Sequence, residues 1–294
     1  MTGCQSADVA TAASAFPDVR HLGLRHSDLG PRGAMSTSAL ARLFEHPRVM
    51  LPLPRFERLA ASGQFGRFRI LLVGQRVERH VDSGGPDAQV QIGTGIRRIG
   101  TSSFTYGQAL FSEGVLVASA QASIVLADRD GPKPLPDALQ TDLRELLLTD
   151  EETPSPSVTR DEASLRPEHY GAWTSVTTRI TDVDANRHVN YIATLGLYDD
   201  AVVSAVHGLV GTEDIARISA LLPWRYDVSY LGEVLYPGDY RVGVAVTGHD
   251  DENVHYDLGL FGDGRCLGIA AASAARSGLP LESLPRRVSG STRG

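Results

Sequence analysis

Hydrophobic positions in the second half of the chain follow one long helical pattern flanked by strand patterns. Over residues 191–209 apolar side chains recur every three or four residues, which is the spacing of one buried helix face. Shorter apolar or alternating runs lie before and after this stretch, as is typical of strands. The pattern predicts an opening strand over 173–180, a helix over 191–209, and strands over 220–231, 240–248, 253–261 and 265–275.

The first half repeats this order of elements. Its pattern predicts a strand over 19–26, a helix that begins near Ser36 and is limited by Pro47, and strands over 67–80, 88–98, 102–111 and 115–127. Matched residues fall in the same order within the two halves: Arg179 on Arg25, Asp182 on Asp28, Tyr256 on Tyr106 and Gly264 on Gly114. The sequence therefore predicts an internal duplication.

A proline-rich stretch separates the halves and contains one helical pattern over 137–148. We expect a first domain over 17–130, a helix-containing linker over 131–170 and a second domain over 171–278. Residues 1–16 and 279–294 have small and polar compositions without periodicity, which is typical of flexible tails.

Composition narrows the possible functions. The 28 basic and 35 acidic residues give a net charge of −7, which argues against nucleic acid as the main partner. Two cysteines argue against a disulfide framework or a cysteine-rich metal site, and we expect neither a metal nor another cofactor. The chain has no secretory signal pattern and no apolar run of about 18 residues. We expect a cytoplasmic protein without a membrane span.

The segment most suggestive of chemistry is 181–191, with the sequence Thr-Asp-Val-Asp-Ala-Asn-Arg-His-Val-Asn-Tyr. Turns and helix caps commonly use Asp and Asn, but they account for only one or two of its polar side chains. The segment ends where the apolar helix begins, so the positive end of the helix dipole lies beside it. Such a position stabilises a carbonyl oxygen that becomes negative during acyl transfer.

The pattern Asp-x-Asp-x-Asn-x-His-Val-Asn, followed along the helix by Asp199, resembles the acyl-ACP thioesterases and their acyl-CoA thioesterase relatives. The resemblance covers about 17–128 and 171–277, and it is specific at 182–190. It implies an α+β double hotdog, in which two antiparallel sheets each wrap a central helix. It also implies Asp184 as base or nucleophile, and it assigns Asn186 and His188 to the same site.

These roles agree with the chemistry of thioester hydrolysis. A carboxylate such as Asp184 can deprotonate water or attack the carbonyl directly. The Asn186 amide could orient the attacking group, and His188 could polarise the carbonyl, position water or protonate the departing thiolate. Nearby, Asp182 is expected to have a structural role, either holding the loop or pairing with Arg179.

Two further groups are expected to contact the substrate. Asn190 is expected to cap the helix and, with Tyr191, to border the site; Tyr191 stands where the family usually has a second Asn. Arg97 and Arg98 belong to the most basic region and could bind the phosphates of coenzyme A or of a carrier protein's phosphopantetheine. The alternative for these arginines is a solvated strand face.

Two features of the sequence limit the assignment of catalytic residues. The family often carries a further catalytic residue on the strand after the helix, and the sequence leaves open whether Ser229, Tyr230 or Glu233 serves here. In the first half the positions of Asp184, Asn186 and His188 are taken by residues without the matching chemistry, and these are Gly30, Arg32 and Ala34. We therefore expect one catalytic site per chain, with the first half lending a wall of the acyl pocket.

The sequence thus predicts hydrolysis of an acyl-CoA or acyl-ACP to an acid and a thiol, a reaction of fatty acid metabolism, by a monomer or homodimer of double hotdogs. One alternative is a hotdog enoyl hydratase or dehydratase, although the proline usual in the active-site loop of those enzymes is absent. Another is a non-catalytic protein that binds acyl thioesters.

Overall fold

A computed structural model of the chain describes residues 13–61, 69–149, 161–185, 187–211, 213–276, 279–285 and 287. The chain forms two compact units. Unit 1 consists of the described parts of Met1–Leu29 and Leu40–Pro156, and unit 2 of those of Gly30–Ala39 and Ser157–Gly294.

Unit 1 is built on five antiparallel strands in the order β1–β3–β4–β5–β2. These strands are β1 (Asp18–Gly23), β2 (Arg69–Arg79), β3 (Gln89–Ile99), β4 (Ser103–Ser112) and β5 (Val115–Asp128), and the two-residue β6 (Gly131–Pro132) pairs with the end of β5. The helices of the first half are α1 (Thr37–Met50), α2 (Leu53–Ala61) and α3 (Asp137–Arg144). The Gln108 side chain of β4 donates a hydrogen bond to the Phe44 carbonyl, which fixes α1 against the sheet.

Unit 2 repeats this architecture, with strands in the order β7–β9–β10–β11–β8. Its elements are β7 (Ala172–Thr177), α4 (Tyr191–Val210), α5 (Ile215–Ser219), β8 (Arg225–Tyr230), β9 (Asp239–His249), β10 (Asn253–Gly262) and β11 (Arg265–Ala275). Short 3-10 turns lie at Ala13–Ala15, His26–Asp28, Glu162–Leu165, Pro167–His169, Ile180–Asp182 and Leu281–Ser283.

The duplication extends to single residues of the hairpins. The β4–β5 turn places Glu113 and Gly114 at φ 50° and 78°, and the β10–β11 turn places Asp263 and Gly264 at φ 50° and 73°. Two successive left-handed residues form the tight turn that matches the twist of a hairpin, and this favours glycine. Both hairpins also shift register at the Leu-Phe pair that precedes the turn.

Most predicted elements have the expected type and place, but several helices and one strand differ. The strand expected over 220–231 begins at Arg225, and the short helix α5 before it is not predicted. The sequence predicts that Pro47 limits the first helix, whereas α1 continues to Met50 with Pro47 inside it. The Pro47 carbonyl accepts a hydrogen bond from Leu51 N at 2.9 Å, so a proline near the end of the helix does not stop its last turn. A separate helix, α2, follows immediately and is not predicted by the sequence.

The helix after the first sheet is shorter than expected, ending at Arg144, and the last described residues are packed rather than flexible. The helix expected over 137–148 is α3, and its buried Leu139 and Leu143 belong to the core of unit 1. Residues 279–294 are expected to be a flexible tail, yet Leu279 and Leu284 are buried and the Pro285 carbonyl accepts a hydrogen bond from Val246 N. Apolar burial thus extends the ordered chain at least to this point, and the domain boundaries stay predictions.

No helix of the described ranges is long and apolar enough to cross a membrane.

Candidate active site

Asp182 fixes the beginning of the polar loop. Its buried carboxylate accepts hydrogen bonds from the Arg179 backbone N–H at 2.8 Å and from Arg179 Nη2 at 3.0 Å. Its carbonyl accepts a further bond from Asn190 N at 2.8 Å, which joins the two ends of the loop. These contacts agree with the expected structural role of Asp182.

The loop turns back on itself so that Asp184 and His188 lie side by side. The Asp184 N–H donates to the His188 carbonyl at 3.1 Å, and the Arg187 N–H donates to the Asp184 carbonyl at 3.0 Å. Arg187 adopts φ 67°, a left-handed conformation that lets the chain reverse within four residues. As a result Asp184 Oδ1 lies 4.0 Å from His188 Nδ1.

Asn190 connects this pair to helix α4. Its Oδ1 accepts a hydrogen bond from the Ile192 N–H at 2.7 Å, so the expected helix cap is present. Its amide Nδ2 donates to Asp184 Oδ2 at 3.4 Å. One side chain therefore both starts the helix and restrains the carboxylate at the positive end of the helix dipole.

The two titratable side chains are partly accessible. The Asp184 side chain is 23 % exposed and that of His188 is 33 % exposed. A water molecule or a ligand can reach both groups, while the surrounding protein holds them in place.

The other residues expected at the site have different positions. Asn186 lies outside the described residues, so its placement stays a prediction. The Tyr191 ring makes an edge contact with the Tyr230 ring at a centroid distance of 6.2 Å, which brings β8 to the start of α4. Ser229 is buried and Glu233 is exposed, and the choice of a further catalytic residue stays open.

Asp199, the acid further along α4, is buried and accepts a hydrogen bond from the Tyr226 hydroxyl at 2.7 Å. Burial and the neighbouring Asp199 carboxylate raise the pKa of Tyr226 well above its usual value. The phenol therefore stays protonated and donates to the carboxylate. This contact places Asp199 in the packing between α4 and β8.

The first half has the same loop backbone without the same side chains. The Gly30 N–H donates to the Ala34 carbonyl at 2.8 Å, and the Gly33 N–H donates to the Gly30 carbonyl at 2.9 Å. Gly33 adopts φ 73°, as Arg187 does at the matching position. The loop conformation is thus duplicated, whereas a carboxylate and an imidazole occur only at the second-half positions, Asp184 and His188.

Arg97 and Arg98 lie in unit 1, at a β-bulge of β3 where the pairing with β4 shifts between Ile96 and Arg98. Arg97 is half-buried and Arg98 is exposed. Contact with a substrate phosphate stays a prediction for both arginines.

No three His, Cys, Asp or Glu side chains of the described ranges cluster as a metal site.

Two sheet-and-helix units in one chain define a double hotdog, which confirms the expected α+β fold class. The structure is similar to that of a 12:0-ACP thioesterase from Umbellularia californica, with a TM-score of 0.66 and 12 % identity, over 88 % of this chain and 97 % of that chain. It is also similar to an acyl-ACP thioesterase from Bacteroides thetaiotaomicron, with a TM-score of 0.64 and 13 % identity, over 87 % and 96 % of the two chains. At sequence identities this low, the structural similarity establishes a shared fold and nothing more specific.

No protein-family model and no curated protein sequence matches the chain significantly.

Proposed function

We propose that this protein hydrolyses an acyl thioester of coenzyme A or of an acyl carrier protein. The observation that carries the proposal is the restrained Asp184 carboxylate, which lies 3.4 Å from the Asn190 amide and 4.0 Å from the His188 ring at the start of α4. The fold shared with two acyl-ACP thioesterases supports the same class of reaction.

Asp184 begins the reaction. It removes a proton from a water molecule that attacks the thioester carbonyl, or it attacks the carbonyl itself and forms an anhydride that water then hydrolyses. The Asn190 amide keeps one carboxylate oxygen in place and leaves the other toward His188. The positive end of α4 stabilises the oxygen that becomes negative.

His188 completes the reaction by supplying a proton to the departing sulfur. The carbon–sulfur bond breaks, the thiol leaves with that proton, and the acyl group leaves as a carboxylic acid. In the first route the proton that Asp184 took from water then passes to the His188 ring, directly or through solvent. In the second route the water that hydrolyses the anhydride supplies this proton. Asn186 is proposed to orient the attacking group.

The remaining expected roles belong to the same proposal. Tyr191 borders the entrance, and Arg97 and Arg98 bind the phosphates of coenzyme A or of a carrier protein. We place the protein in the cytoplasm, where these thioesters are found, as a monomer or a homodimer.

Thiol release from matched acyl-CoA and acyl-ACP panels of increasing chain length tests the proposal. We expect stoichiometric thiol and acid from at least one member. A change in enoyl absorbance without thiol release would instead indicate a hydratase, and tight binding without either signal would indicate a binding protein.

A further inference from the structure

Tyrosine side chains line the helix-facing side of the unit 2 sheet. Tyr226 of β8 pairs with Ala272 of β11, and Ala272 pairs with Tyr256 of β10, so the three side chains lie in one row on one face. The Tyr226 hydroxyl donates to Asp199 of α4, which shows that this face is the one covered by the helix.

Tyr198 approaches the same face from α4. Its ring stacks with that of Tyr226 at a centroid distance of 6.4 Å and an interplanar angle of 29°. Its hydroxyl lies 3.0 Å from the point where a Cβ on Gly268 would be. Helix side chains lean toward the N-terminus of their helix, so the Tyr198 hydroxyl is directed toward the end of α4 that carries the active-site loop.

Contacts along this face connect Tyr198 to that loop. Gly268 pairs with Tyr230, and the Tyr230 ring contacts the ring of Tyr191. Tyr191 directly follows Asn190, whose amide holds Asp184. A series of neighbouring residues therefore leads from the Tyr198 hydroxyl through Gly268, Tyr230 and Tyr191 to Asn190.

Two of these hydroxyls are buried and unsatisfied within the described part of the chain. The side chains of Tyr198 and Tyr256 are 0 % and 1 % exposed, and neither hydroxyl has a hydrogen-bond partner among the described residues. In contrast, the hydroxyls of Tyr226 and Tyr170 bond to Asp199 and to the Ser164 carbonyl. A buried hydroxyl left without a partner costs stability, so two of them in one interior point to a ligand that completes them.

The strand beside these hydroxyls carries small side chains. Four helix-facing residues of β11 are small, and these are Gly268, Ala270, Ala272 and Ala274. A larger side chain at Gly268 would press against Tyr198, whose hydroxyl lies 3.0 Å from the position of a Cβ there. The helix-facing surface of this strand is therefore apolar, and the Tyr198 and Tyr256 hydroxyls are two polar groups beside it.

We propose that Tyr198 and Tyr256 select an acyl group that carries a hydroxyl or carbonyl oxygen on its chain. This inference rests on the proposed function. An oxygen on the acyl chain accepts a hydrogen bond from one or both phenols, whereas an unsubstituted alkyl chain leaves them unsatisfied. A site built to hydrogen-bond an oxygen discriminates against the analogue that lacks it.

The test compares three thioesters of equal chain length, octanoyl-CoA, 3-hydroxyoctanoyl-CoA and 8-hydroxyoctanoyl-CoA. We expect the wild-type protein to prefer at least one hydroxylated thioester by about tenfold in kcat/KM, the effect of one additional hydrogen bond. The Tyr198→Phe and Tyr256→Phe variants should lose this preference, so that their kcat/KM values for the hydroxylated thioesters approach those for octanoyl-CoA. Tyr170→Phe is the matched control, because its hydroxyl already has a partner in the protein.

Two further measurements separate the possible failures. Calorimetric binding of the same thioesters to the wild-type protein under non-turnover conditions at low temperature reads selection without catalysis, and thermal unfolding verifies that each variant is folded. Equal rates and equal affinities for the three thioesters would overturn the inference and leave the proposed function standing. Selective binding without thiol release would overturn the proposed function instead. If neither selective binding nor thiol release were observed, both the inference and the proposed function would be overturned.

Discussion

The Asn190 amide donates to Asp184 Oδ2 while its oxygen caps helix α4. The position of the carboxylate is therefore set by the same side chain that sets the start of the helix. In the first half the matching residue is Ser36, which caps its helix by accepting from the Ala39 N–H at 3.1 Å, and Gly30 stands in place of the carboxylate. The cap is thus a structural feature of both halves, whereas the restraint on a carboxylate belongs to the second.

Replacing Asn190 with serine separates these two roles. Serine caps a helix about as well as asparagine, so we expect the free energy of unfolding to change by less than about 0.5 kcal/mol. Serine cannot donate the amide bond to Asp184, so kcat should fall about tenfold. Chemical denaturation and thiol release measure the two effects.

Asn190→Ala provides the comparison for that variant. It removes the cap as well as the restraint, and should destabilise the protein by about 1 kcal/mol in addition to lowering kcat. If Asn190→Ser kept full turnover, the amide would have no part in positioning the carboxylate.

Buried tyrosines make stability depend on alkaline pH. Burial raises the pKa of five tyrosines above the usual value near 10, and these are Tyr106, Tyr170, Tyr198, Tyr226 and Tyr256. Above about pH 10 the unfolded chain loses phenol protons that the folded chain keeps, so stability is full below that pH and falls as pH rises further.

We expect the tyrosinate absorbance of these five groups to appear together with the loss of the circular dichroism signal. Tyr198→Phe and Tyr256→Phe should each remove one group from the coupled transition. Ionisation of all the tyrosines before any change in secondary structure would contradict the burial that the fold requires.

Removing charge at the β3 bulge tests the proposed phosphate contacts. If Arg97 and Arg98 bind substrate phosphates equally in the ground and transition states, Arg97→Gln and Arg98→Gln should raise KM with little change in kcat. The expected increase in KM is about tenfold at low salt and smaller at high salt, because salt screens the attraction.

Arg58→Gln is the control for these variants, since Arg58 is an exposed cation that pairs with Asp142. A KM that stays the same at low salt in both β3 variants would assign these arginines to a solvated strand face.

The sequence predicts those features that depend on local pattern. Apolar spacing places α4 from Tyr191 almost to its end, and it places β11 at its observed bounds. The Asn190 cap and the Asp182–Arg179 pair follow from residue types at short separation. These features need no knowledge of the tertiary structure.

Features that depend on distant packing are not predicted in the same way. The sequence does not show that Leu279 and Leu284 are buried, because the three leucines over 279–284 are too few to establish a periodicity. Nor does it distinguish Tyr198 and Tyr256, whose hydroxyls have no partner among the described residues, from Tyr226, whose hydroxyl bonds to Asp199. Only the pairing of strands and helix reveals which polar atoms are satisfied.

Turnover is proposed to depend on the second-half loop, where Asp184 stands, and not on its first-half counterpart, where Gly30 stands. The variants Asp184→Asn and Gly30→Ala change matching positions of two loops with the same backbone hydrogen bonds. A Cβ at Gly30 meets its nearest atom, the Ala34 carbonyl oxygen, at an ordinary contact distance of 3.4 Å, so the second variant should fold normally.

The decisive measurement is kcat for thiol release by these two full-length variants beside the wild-type protein, on the thioester that the wild type hydrolyses fastest. We predict a loss of about 10²-fold or more for Asp184→Asn with an unchanged thermal unfolding midpoint, and no loss for Gly30→Ala. Near-wild-type turnover by folded Asp184→Asn, or an equal loss in both variants, would contradict the account.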